Sequence, residues 1–97
     1  MYIEYSDKKT EKRCKDLCEA KKHYPEKVAK KLLKAINYIE NAESLLDVIN
    51  YRSFAFHKLK GNRNGQYAID VDGRRSSYRI ILELKDNEVA DVYAIAK

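Results

Sequence analysis

His57, Lys58, Lys60, Gly61, Arg63, Gly65 and Gln66 fall close together in the second half of the chain, and Arg79 follows in a stretch of alternating residues. An imidazole titrates near neutrality and can give or take a proton, while ammonium and guanidinium groups neutralise anionic oxygens. Gly61 and Gly65 let the backbone turn tightly and approach a partner closely, and Lys60 and Arg63 place cations beside them. That combination suits a phosphate backbone.

The two cysteines point elsewhere. Cys14 and Cys18 stand four apart in a segment that reads as helix, which puts both on one helical face. His23 is the further residue that could join them around a metal, and no second Cys/His pair closes a tetrahedral site. They are read as small apolar residues of a buried face, with neither metal nor cofactor expected.

These residues need elements to hold them. Tyr2-Ile3-Glu4-Tyr5 alternates as a short strand, and Ser6 or Asp7 caps a first, weakly amphipathic helix running to about Lys22. Pro25 opens a second helix with Val28, Leu32, Ala35, Ile36 and Ile39 at helical spacing. The stretch 45–56 has no clear period and is expected to pack Leu45, Leu46, Val48, Phe54 and Phe56 on the core. Tyr67, Ile69 and Val71 alternate, Asp72-Gly73 predicts a two-residue hairpin turn, and Tyr78, Ile80, Leu82 and Leu84 return. Such a turn pairs Tyr67 with Tyr78, Gln66 with Arg79 and Asp70 with Arg75, leaving Gln66 and Arg79 on a face open to a ligand. A turn near 85–88 leads to a last strand over 89–95 of unassigned register. The expected fold is α+β: two N-terminal helices packed on a small, mainly antiparallel sheet in the order β-α-α-β-β-β.

At 97 residues the chain can build one modest core, and positions 1–97 are read as one domain. Runs such as Ile80-Ile81-Leu82 fall far short of the roughly 20 residues a membrane span needs. The opening residues lack the basic head and apolar stretch of a signal peptide, so a cytoplasmic location without membrane contact is expected. Lys and Arg total 20 against 15 Asp and Glu, a formal charge of +5 that favours a polyanionic partner. On the N-terminal helices the excess of lysines is the ordinary covering of a solvated face. From Lys58 to Arg79 it is tied to glycines and strands.

The run Leu59-Lys60-Gly61-Asn62-Arg63-Asn64-Gly65-Gln66-Tyr67-Ala68-Ile69, with Tyr78-Arg79-Ile80, resembles the glycine–basic motif and third-strand arginine of HigB-type toxins in the RelE/ParE superfamily. The expected element order resembles theirs over nearly the whole chain. The resemblance implies the toxin of a type II toxin–antitoxin system, a ribosome-dependent mRNA endonuclease (mRNA interferase). In that chemistry a 2′-hydroxyl attacks the adjacent phosphate, which calls for proton transfer and positive charge on the phosphorane but no metal.

On this reading Arg79 stabilises charge, Lys60 and Arg63 hold phosphates, and His57 is the general acid or base, unless it is a loop residue packed under the sheet. Lys58, Gly61, Gly65 and Gln66 complete the RNA-binding surface. Tyr93 resembles a base-stacking tyrosine, although strand parity could equally bury it. The chain ends Ile95-Ala96-Lys97 where such toxins often carry an Asp-Tyr-His-like tail, which leaves their usual proton donor without a counterpart. The implied partners are the ribosome, mRNA and a cognate antitoxin of the HigA-like, DNA-binding kind, docking on the first helix or on apolar positions of 45–56. Two alternatives stand beside this one: a ParE-like gyrase inhibitor, and a catalytically weakened RNA-binding relative.

Overall fold

Tyr2–Tyr5 forms strand β1, and the chain then enters helix α1, Lys8–Lys15, through Asp7, whose carboxylate accepts a hydrogen bond from the Thr10 N–H at 2.7 Å. The computed structural model describes residues 1–59, 65–73, 78–84 and 89–96. The single first helix expected from the sequence is in fact two. Asp16 is extended (φ −118°, ψ 114°), and its side chain accepts from Cys18 N at 2.9 Å to start α2, Leu17–His23. A short acidic side chain that bonds the backbone ahead of it competes with helix continuation, and here it wins. The break also separates the cysteines: Cys14 is buried and Cys18 exposed, so the shared buried face expected for them does not form.

Pro25 sits at the N-cap of α3, Glu26–Asn41, where its missing N–H costs nothing and its carbonyl accepts from Ala29 N. Val28, Leu32, Ala35, Ile36 and Ile39 are all buried, as their spacing predicts. The stretch read as an irregular linker contains helix α4, Leu45–Asn50, and a 3-10 turn at Arg52–Phe54. Val48 and Phe54 reach the core, but Leu46 is 64% exposed, against expectation. One short helix gives the core one face; Val48 occupies it, and Leu46 lies roughly 200° around the axis.

The sheet has the order β1-β5-β4-β3-β2, with β2 His57–Lys58, β3 Gln66–Asp70, β4 Arg79–Leu84 and β5 Val89–Ala96. β5 runs parallel to β1 and antiparallel to β4, and the remaining pairs are antiparallel. The fold is α+β, with two more helices and one more strand than expected. Helices α1, α3 and α4 cover the sheet face that carries Ile69, Val71, Ile80 and Leu82.

The hairpin register is displaced from the expected one. Asp70 pairs with Arg79, Tyr67 with Leu82 and Gln66 with Glu83, and the connection closes where Val71 N donates to Tyr78 O at 3.3 Å. A two-residue turn would have set Ile69 against Ser76. The observed register sets it against Ile80, both fully buried, so apolar matching overrides the local turn signal. The displacement is an even number of residues, which preserves which side chains share a face. Gly73 keeps a positive φ of 78°, and Asp72 is tied to α3 by Lys31 at 2.6 Å.

Candidate functional site

Behind the 3-10 turn, Ala55 adopts the left-handed conformation (φ 46°, ψ 48°), one that a side-chain-bearing residue enters at a cost. The turn aims its carbonyl at His57, whose Nδ1 lies 2.9 Å away. A carbonyl can only accept, so Nδ1 carries the proton and Nε2 of the neutral ring presents its lone pair. His57 is exposed and stands opposite Ala68, on the face that also carries Asp70 and Arg79. It is not packed under the sheet.

Asp70 and Arg79 face each other across β3 and β4. The carboxylate is 3% exposed, and Arg79 Nε approaches its Oδ1 at 3.2 Å, while the arginine side chain is 34% exposed. Oδ1 has no hydrogen-bond partner among the described residues, so the contact is an ion pair without hydrogen-bonding alignment. Ala55, Phe56, His57, Asp70 and Arg79 line one open cleft of about 440 Å³. Phe56 stacks on Tyr67 at 5.0 Å between ring centres and gives the cleft a rigid flank. A proton-transfer group and a cation anchored on a buried anion thus share one depression, an arrangement able to bind an anionic group and move a proton beside it.

The other candidates are placed less centrally. Lys58 pairs with Tyr67 and so belongs to the face opposite His57, where it is exposed. Gln66 lies at the far end of β3 from Asp70, and Gly65 turns the chain with φ 83° in open space. Lys60, Gly61 and Arg63 lie outside the described residues. Tyr93 falls on β5 where the register slips: Ile81 pairs with Ala94 but Leu82 with Val92, so Tyr93 is the extra residue of a bulge, a feature frequent beside functional sites.

Asp70 was not among the residues singled out, because the expected register gave it to Arg75. Its sheet face was legible; its partner was not. Ala55 carries no sequence signal at all, since only the backbone shows its conformation.

Elsewhere, burial pushes the Cys14 thiol up to about 12, leaving it a protonated core group rather than a nucleophile. His23 Nε2 lies 3.5 Å from Glu19 on the same helix. Among the described residues no His/Cys/Asp/Glu group suited to a metal ion occurs, and no helix is long and apolar enough to cross a membrane.

A family model described as HigB-like toxin, a RelE-like toxin of type II toxin–antitoxin system HigB, matches residues 4–95. No curated protein matches the chain.

Proposed function

Since the chain belongs to the HigB-like family of RelE-like toxins from type II toxin–antitoxin systems, we propose that it is a ribosome-dependent endonuclease of mRNA, silenced in the cytoplasm by a HigA-like antitoxin. The observation that carries this reading is the single cleft shared by His57 and Arg79, with Arg79 anchored on buried Asp70. In the reaction a ribose 2′-oxygen forms a bond to the adjacent phosphorus as the bond to the 5′-oxygen breaks, giving a 2′,3′-cyclic phosphate and a 5′-hydroxyl. His57 Nε2 accepts the 2′-hydroxyl proton, a solvent water supplies the proton that the departing 5′-oxygen takes up, and Arg79 carries the charge that builds on the phosphorane oxygens. Lys60 and Arg63 hold flanking phosphates, Gly61, Gly65 and Gln66 border the RNA, and Tyr93 stacks on a base. The chemistry requires no metal ion. Leu46 and Ile49, exposed on α4, are the antitoxin's apolar contact.

The test is induction in a bacterial host with primer-extension mapping of abundant transcripts. Wild-type protein is expected to arrest growth with cuts inside translated frames. His57→Ala and Arg79→Ala should each lower cutting on the order of a hundredfold or more. Cuts that persist unchanged in both variants would remove these residues from the chemistry, and arrest with intact transcripts and a DNA-damage response would replace the nuclease with gyrase inhibition.

A further inference from the structure

A second depression, about 670 Å³, opens between α3, the 3-10 turn and the end of β3, lined among others by Lys34, Asn37, Tyr38, Tyr51 and Arg52. The rings of Tyr38 and Tyr51 lie 4.3 Å apart at a tilt of 43°; Tyr38 meets the buried Phe54 edge-on, and Tyr51 packs tilted against it at 4.7 Å. Each tyrosine keeps 38% of its surface exposed, a large apolar area for residues that have a core beneath them. The Tyr38 hydroxyl donates to Asp47 O at 3.4 Å, which fixes its ring against α4.

The charges around these rings are unevenly matched. Asp72 is taken up by Lys31 at 2.6 Å and Lys27 at 3.8 Å, and Asp70 faces Arg79. Lys34 and Arg52 are exposed and make no ion pair among the described residues. What remains is a pair of partly exposed tyrosine rings flanked by two cations without an ion pair among the described residues, with the Asn37 amide and the Ser53 hydroxyl nearby. Aromatic platforms beside cations are how proteins hold single-stranded nucleic acid without reading its sequence. Among the described residues, Asp70 is the one that lines both this depression and the cleft described above.

We propose that this depression is a second nucleotide-binding site, in which a base of single-stranded RNA stacks on Tyr38 and Tyr51 while Lys34 and Arg52 neutralise its flanking phosphates. It rests on the nuclease reading only for the direction from which the strand arrives. An RNA strand whose scissile phosphate lies at Arg79 passes Asp70 and delivers a neighbouring nucleotide to the tyrosines. The site therefore adds affinity and fixes the strand's direction without taking part in bond breaking.

The probe is a fluorescein-labelled single-stranded RNA ten-mer, 2′-O-methylated so that it cannot be cut, with binding followed by anisotropy over a salt series. Tyr51→Ala should weaken binding on the order of tenfold, and Tyr51→Phe should restore it. Lys34→Ala with Arg52→Ala should flatten the log–log salt slope by about 0.7 per cation lost. Circular dichroism checks that each variant is folded. The proposal fails if the wild type does not bind the ten-mer, or if folded Tyr51→Ala binds it as the wild type does. It fails equally if that variant keeps its RNA affinity but escapes antitoxin rescue, which would assign the groove to the protein partner. Tyr51-dependent binding in a protein that never cuts transcripts would sink the nuclease reading and leave this site standing.

Discussion

Removing Arg79 strands a carboxylate that is 3% exposed, whereas neutralising Asp70 leaves an arginine side chain that is 34% exposed and can take up water. The two losses are therefore unequal. Arg79→Ala should cost about 3 kcal/mol in urea denaturation and Asp70→Asn about 1 kcal/mol, with Asp70→Asn still reducing transcript cutting because Arg79 loses its anchor. Equal midpoint shifts would show that the pair is not the buried contact described. Cys14 bears on the alkaline side. Its folded thiol ionises only near 12 against an ordinary value of 9.0, so the unfolded chain gives up its proton first. The stability this group contributes is complete below about 9 and falls as pH rises towards 12, by up to about 1.4 kcal/mol per pH unit. Burial pushes the Tyr5 hydroxyl upward as well, which adds to the alkaline loss. Cys14→Ala should flatten this fall in pH-dependent melts. A disulfide reagent should label Cys18 at once and Cys14 only as fast as the fold opens.

At the scale of the element, local backbone chemistry decides two features that periodicity does not reveal. The Asp16 carboxylate starts α2, and Asp16→Ala should cost about 1 kcal/mol with no gain in far-UV helicity; a gain would mean that α1 and α2 fuse once the cap is removed. Ala55 is left-handed without being glycine, so Ala55→Gly should stabilise the chain by about 0.5–1 kcal/mol, read as a higher midpoint. The parts legible in the sequence were those set by repeated pattern: the buried face of α3, every strand but the two-residue β2, and the face shared by Asp70 and Arg79. Register was misread because Asp72-Gly73 is a strong local signal, and it lost to the pairing of Ile69 with Ile80 across a longer connection. Residues 60–64, the basic centre of the motif that carried the resemblance, lie outside the described residues, so the site rests instead on His57 and Arg79, with Asp70 supplied by the structure.

For the molecule as a whole, the formal charge of +5 favours anionic partners, while its exposed apolar residues have a narrower distribution. Of the large apolar side chains left exposed, Tyr38, Leu46, Ile49 and Tyr51 belong to α3, α4 and the turn that follows, and only Tyr2 lies elsewhere among the described residues. Leu46→Asp with Ile49→Asp should therefore leave stability within about 0.5 kcal/mol yet weaken rescue by a co-expressed antitoxin; full rescue would move the partner's contact off α4. The strand order has a further consequence. β5, the last of the five strands in chain order, joins β1 to β4, so the first strand of the sheet has no strand neighbour until residues 89–96 have been synthesised. Contacts spanning almost the full chain are slow to form, and until β5 arrives both β1 and β4 offer bare edges to other chains. The newly made chain is thus at its most adhesive just before β5 is synthesised, and the timing of that strand governs how much of it reaches the native state rather than an aggregate.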